Sequence, residues 1–96
     1  GIWRVVQRGQ RMAGTAHSDE YRAMVRALVN ARRAAGLSQA ALARRLGRAP
    51  SYVAKVELAE RRLDVIELLV ILRILGADPT RFINELLPSI PETLPR

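Results

Sequence analysis

Apolar residues recur at helical spacing in five separate runs of this chain, and each run is bracketed by residues that start or stop helices. The first begins at Ser18, whose hydroxyl can cap a helix carrying Asp19 and Glu20 in its first turn. Tyr21, Met24, Val25, Leu28 and Val29 then repeat every three or four residues until Gly36. Ser38 caps the second run, Gln39 to Leu46, where Leu42 and Leu46 face inward and Gly47 supplies a left-handed residue at the end. Pro50 suits the first turn of a third helix reaching Glu57 or Leu58, with Ala49 a weak cap in front of it. Asp64-Val65-Ile66-Glu67 has the form of a capping box, with Asp in the usual Ser/Thr position, and opens a fourth helix from Val65 to Leu75 that Gly76 closes. Asp78 and Pro79 repeat the device for a fifth helix, Pro79 to Leu87, which Pro88 stops before a proline-spaced tail at 89–96. The pattern predicts an all-α chain of five helices and no strand.

Residues 1–17 carry no periodicity. Ile2, Trp3, Val5 and Val6 could form a short strand, but no later segment offers it a partner, so an arm is expected ahead of a domain spanning 18–88. Met12 would serve as a start, with the residues before it an extension, and Trp3 is expected to pack on the domain or a neighbour. A 96-residue chain that is 49 % apolar fits one core. Such a domain buries about 60–70 % of its unfolded surface and leaves little room for a large internal cavity.

Several classes fall away on composition. There is no run of about 18 apolar residues and no basic-then-apolar leader, so neither a membrane span nor a secretory signal is expected and the chain reads as cytoplasmic, associated with the nucleoid. With no cysteine, a single histidine and no Asp/Asn-rich loop, no disulfide, metal, cofactor or small-molecule ligand is expected. No Ser/His/Asp, Cys/His or paired-carboxylate arrangement exists for catalysis, so an enzyme is not expected.

The net charge of +7 is unevenly distributed. Residues 22–62 hold ten Lys/Arg against Glu57 and Glu60, a net +8, whereas residues 63–96 hold three arginines against five acidic residues, a net −2. The positive half is the half containing the second and third helices, an asymmetry suited to a polyanion. Those two helices, joined by a tight glycine turn, have the build of a DNA-reading helix-turn-helix. Ala43 is small enough for a close crossing, and Leu42, Leu46, Val53 and Val56 can fill the interior. The other stripe of the third helix is Ser51, Ala54, Lys55 and Leu58, which can offer a hydroxyl, a methyl and an ammonium to base edges in a major groove. N–H groups at the start of the second helix, beside Ser38 and Gln39, form a ready phosphate site, Arg48, Tyr52 and Arg61 flank the third helix where a DNA backbone would pass, and Pro50 in its first turn is also expected to meet DNA.

From Tyr21 to about Leu87 the chain resembles the lambda-repressor/Cro-like (xenobiotic-response-element type) helix-turn-helix family of bacterial and phage transcriptional regulators. The resemblance is carried by GLSQxxLAxxLG at Gly36 to Gly47, SYVxKVE at Ser51 to Glu57, and LGxDP at Leu75 to Pro79. It implies a five-helix DNA-binding domain in which Gln39 touches the DNA backbone and abuts the recognition helix. It also implies that Ser51, Tyr52 and Lys55 lie in or beside the groove, and that Arg32 pairs with Glu57 structurally. Departures from the family pattern are Ala49 at a cap usually Ser or Thr, Pro50 and Ala54 where a hydrogen-bonding residue is frequent, and Leu58-Ala59 where a polar residue and then Gly are usual. Either the third helix runs a turn longer or the loop after it is strained.

The fourth helix is apolar almost all round, with Glu67 and Arg73 its only interior polar residues, and must be covered on more than one side. A two-fold homodimer through Leu68, Ile71, Phe82 and Leu86 would cover it and set two recognition helices about one DNA turn apart. The expected function is therefore a sequence-specific double-stranded DNA-binding regulator, a repressor, acting as a homodimer. The alternative is an antitoxin or adaptor whose fourth and fifth helices bind another protein.

Overall fold

The computed structural model describes residues 18–95, so the expected arm at 1–17, with Trp3 and Met12, lies outside the described residues. Five α-helices follow one another: α1 (Asp19–Ala34), α2 (Gln39–Leu46), α3 (Pro50–Glu57), α4 (Val65–Leu75) and α5 (Pro79–Leu86). No strand occurs among the described residues.

The ends fall where local chemistry places them. Ser18 Oγ accepts the Tyr21 N–H at 3.1 Å, Ser38 Oγ the Ala41 N–H at 3.0 Å, and Asp78 Oδ1 the Thr80 N–H at 3.0 Å. At α4 the capping box is complete: Asp64 Oδ1 accepts from Glu67 N at 2.7 Å, and Glu67 Oε1 accepts from Asp64 N at 2.9 Å. Ala49 caps α3 with no side-chain hydrogen bond, as its methyl dictates. Gly47 ends α2 at φ +71°, and its N–H and that of Arg48 close on the carbonyls of Arg44 and Ala43. A Cβ there would meet nothing within 4 Å, so only backbone conformation demands glycine.

One end differs from expectation, α5 stopping at Leu86 rather than Leu87, and another settles an alternative left open. The chain after α5 passes through Pro88 in a 3-10 turn, Leu87–Ser89, because a proline in the first positions of such a turn has no N–H to satisfy. The tail then turns back, and Ile90, Pro91 and Leu94 line an open groove of about 360 Å³ with Tyr21, Met24 and Leu86. After α3, the strained loop rather than the longer helix is realised: α3 stops at Glu57 and buried Ala59 sits at φ +60°. An alanine pays about 1–2 kcal/mol for that left-handed backbone.

α2 packs across α3, α1 lies against α3 and α5, and α4 against α2 and α5. Leu28, Leu42, Ala43, Val53, Val56, Leu63, Leu68, Ile71, Leu72 and Phe82 form one core, with Leu72 fully enclosed. Burying a leucine to that degree stabilises by about 1.5–3 kcal/mol. The Tyr21 hydroxyl accepts the Leu63 N–H at 2.8 Å, tying the α3–α4 loop to α1.

This core corrects the expected dimer seam. Leu68, Ile71 and Phe82 are buried inside their own chain, Leu86 is half-buried, and none of them forms a free face. α4 instead exposes Val65, Ile66, Leu69 and Val70, the first two at 68 %. No described helix is long and apolar enough to cross a membrane, and no group of three metal-ligating side chains occurs among the described residues.

Candidate nucleic-acid interface

The outward side of α3 is Ser51, Lys55 and Leu58, all exposed, with Ala54 half-buried between them. Neither the Ser51 hydroxyl nor the Lys55 ammonium has a hydrogen-bond or ion-pair partner among the described residues. The inward side, Val53 and Val56, is locked in the core against Leu42 and Ala43 of α2. The packing of one stripe therefore decides which other stripe is offered to solvent.

A buried ion pair sets the angle between these elements. Arg32, in the last turn of α1, donates from Nε to Glu57 Oε2 at 2.6 Å and from Nη2 to Glu57 Oε1 at 3.0 Å, the two-pronged geometry that suits a guanidinium and a carboxylate. Its Nη1 donates to the Leu37 carbonyl at 2.8 Å, and the paired side chains are only 9 % and 10 % exposed. Gln39 Nε2 joins them, donating to Glu57 Oε1 at 2.7 Å. Gln39 thus abuts the end of α3. Its side-chain amide is committed to Glu57, and the first N–H groups of α2, those of Gln39 and Ala40, have no place in the helical ladder. Ser38 is exposed beside them.

At the other end of α3, Pro50 is exposed in the first turn, and Arg48 and Arg61 bracket Tyr52. Their guanidinium carbons lie 5.9 Å and 4.8 Å from the Tyr52 ring centroid, within cation–π range. Arg61 Nη2 also lies 3.0 Å from Glu67 Oε2, which accepts the Tyr52 hydroxyl at 3.1 Å. Burial, then the hydrogen bond to Glu67, raises the Tyr52 phenol above its ordinary pKa. The Asp64 N–H, followed by donors from Arg61 and Tyr52, holds the Glu67 carboxyl below the usual carboxylate value. The sequence marks Glu67 as a cap and as a rare polar residue of α4, but not as a partner of Tyr52 and Arg61. The available signal was that a carboxylate inside an otherwise apolar helix needs partners.

The nine residues expected to meet DNA thus fall in three groups on two adjoining helices and the loops at their ends: Ser38 and Gln39 at the start of α2, Ser51, Ala54 and Lys55 along α3, and Arg48, Pro50, Tyr52 and Arg61 at the entry to α3 and after it.

Two helices joined by a tight left-handed turn, with α1 clamped across them by an ion pair and the second turned outward, define a helix-turn-helix domain. The Helix-turn-helix domain family model matches residues 21–82 of this chain. An XRE-family like protein from Pseudomonas syringae pv. tomato str. DC3000 is similar in structure, with a TM-score of 0.70 and 47 % identity, over 75 % of this chain and 88 % of that one. No curated protein matches. The chain belongs to the XRE, lambda-repressor-like helix-turn-helix family, whose members are DNA-binding regulators.

Proposed function

We propose that the chain is a transcriptional repressor that reads specific double-stranded DNA by setting α3 into the major groove, two copies acting on a two-fold site. The observation that carries this reading is the pair of unpartnered polar side chains on the outer stripe of α3, Ser51 and Lys55, flanked by Arg48 and Arg61. Lys55 supplies donors for guanine O6 and N7, Ser51 a hydroxyl for either a donor or an acceptor, and Ala54 a methyl for thymine. The N–H groups at the start of α2, Arg48 and Arg61 take phosphates and fix register.

A second copy is placed on the exposed apolar face of α4. The apolar residues it would cover are Val65, Ile66, Leu69 and Val70. A two-fold pairing is proposed to set two α3 helices about one DNA turn apart, roughly 34 Å, the spacing of half-sites. A chain that stays monomeric and holds a different protein on this face would instead fit an antitoxin or adaptor.

Selection of bound fragments from a random DNA pool supplies the site for the test. Lys55→Ala is expected to weaken that site by about 1–3 kcal/mol and leave arbitrary DNA nearly unchanged. Equal losses on both would contradict a base-reading role.

A further inference from the structure

Glu67 has two oxygens with separate tasks. Oε1 completes the α4 capping box with the Asp64 N–H, whereas Oε2 gathers the Tyr52 hydroxyl at 3.1 Å and Arg61 Nη2 at 3.0 Å. An anionic oxygen held by one phenol and one guanidinium, on a ring that a second guanidinium also approaches, occupies the place a phosphate oxygen would take. Arg48 makes no ion pair with any described carboxylate and donates only a long hydrogen bond, 3.4 Å, to the Gly47 carbonyl, so the cluster keeps an excess positive charge. We propose that Arg48, Tyr52 and Arg61 form a DNA-phosphate site that the Glu67 carboxylate fills in the free protein, so that Glu67 competes with the DNA backbone and restrains binding to duplexes of any sequence.

The inference rests on the DNA-binding reading above and adds a restraint to it. The exchange is feasible because the Arg61 and Glu67 side chains are 43 % and 24 % exposed. A pair this open to water holds weakly, and a phosphate can displace the carboxylate without leaving a buried charge. Arg61 also sits in the loop after α3, where its Nη1 donates to the Arg62 carbonyl at 2.8 Å, so its stem is anchored while its second nitrogen can change partner. Glu67 need not leave the α4 cap for this exchange, because its other oxygen stays bound to the Asp64 N–H while Arg61 changes partner.

The test is Glu67→Gln, which keeps a side-chain acceptor for the Asp64 N–H and removes the charge. Glu85→Gln serves as the charge-matched control, because Glu85 is an exposed carboxylate paired with Arg81 on α5, outside this cluster. Binding of an arbitrary-sequence duplex is measured across a salt series, with thermal melts of each variant. Glu67→Gln is expected to tighten binding by about two- to fivefold, the worth of an exposed pair, and to steepen the logarithmic salt dependence by about one. Glu85→Gln should do neither, and the gain from Glu67→Gln should vanish in an Arg61→Ala background. Unchanged affinity, an equal gain in the control, or a gain that survives without Arg61 overturns the competition. A native protein that fails to hold any duplex at low salt instead overturns the DNA-binding reading itself.

Discussion

Glu57→Ala removes the acceptor for three hydrogen bonds at the junction of α1, α2 and α3: two from Arg32 and one from Gln39. The guanidinium left behind retains the Leu37 carbonyl at 2.8 Å and, at 9 % side-chain exposure, recovers little water. Breaking one side of a buried pair costs about 3–5 kcal/mol, whereas an exposed pair is worth about 0–1 kcal/mol. The surviving Leu37 bond places the expected loss at the lower end, about 3 kcal/mol. Against a total stability of about 5–15 kcal/mol for a domain of this kind, that is a large fraction. With a urea slope of about 1–2 kcal/mol per molar, the denaturation midpoint should fall by about 1.5–3 M, read by circular dichroism. The companion double variant Arg32→Met/Glu57→Leu removes both charges and leaves none stranded, so it should be more stable than Glu57→Ala alone. A single-variant loss below about 1 kcal/mol would show the pair to be screened like a surface bridge. A double variant less stable than the single one would refute the stranded-charge argument.

At Ala59, substitution by glycine removes the left-handed cost of about 1–2 kcal/mol but adds about 0.4–1 kcal/mol of unfolded-chain entropy and forfeits a buried methyl worth about 0.8 kcal/mol. Ala59→Gly should therefore melt within about 1 kcal/mol of the native protein, while Ala59→Val, β-branched at φ +60°, should lose more than about 2 kcal/mol; a native-like melt for the valine variant would show that the loop carries no strain. Val70→Glu, on the exposed face of α4, tests the proposed dimer: the native chain should sediment as a dimer and the variant as a folded monomer with little change in thermal stability; a native chain that is already monomeric refutes the dimer, and a variant that remains dimeric puts the seam elsewhere.

Helix ends were legible because a cap is decided within four residues. Ser18, Ser38, the Asp64/Glu67 box, Gly47 and Gly76 each stand at an observed boundary, and each works through a side-chain acceptor or a left-handed residue that no distant contact need supply. Which side of α4 faces the core could not be read in the same way. Val65 to Leu75 offers apolar residues in every direction, so its periodicity contains no contrast, and Leu68 and Ile71 look no different from Leu69 and Val70. Only the positions of α2 and α5, which pack on α4, distinguish the buried side from the exposed one.

The interface divides along the same line. The outer stripe of α3 follows from its inner stripe, because Val53 and Val56 must meet the core and one helix can turn only one face outward. The cluster around Glu67 has no such rule: Tyr52 and Glu67 are 15 residues apart, and Arg61 reaches both from an irregular loop. Their meeting depends on how α4 enters after the strained Ala59 and on the Tyr21 hydroxyl that fixes Leu63. A polar residue alone in an apolar helix is therefore the informative mark in this sequence. The cap accounts for one oxygen of Glu67, and the second oxygen, held by the Arg61 guanidinium and the Tyr52 phenol, is what links the start of α4 to the surface proposed to meet DNA.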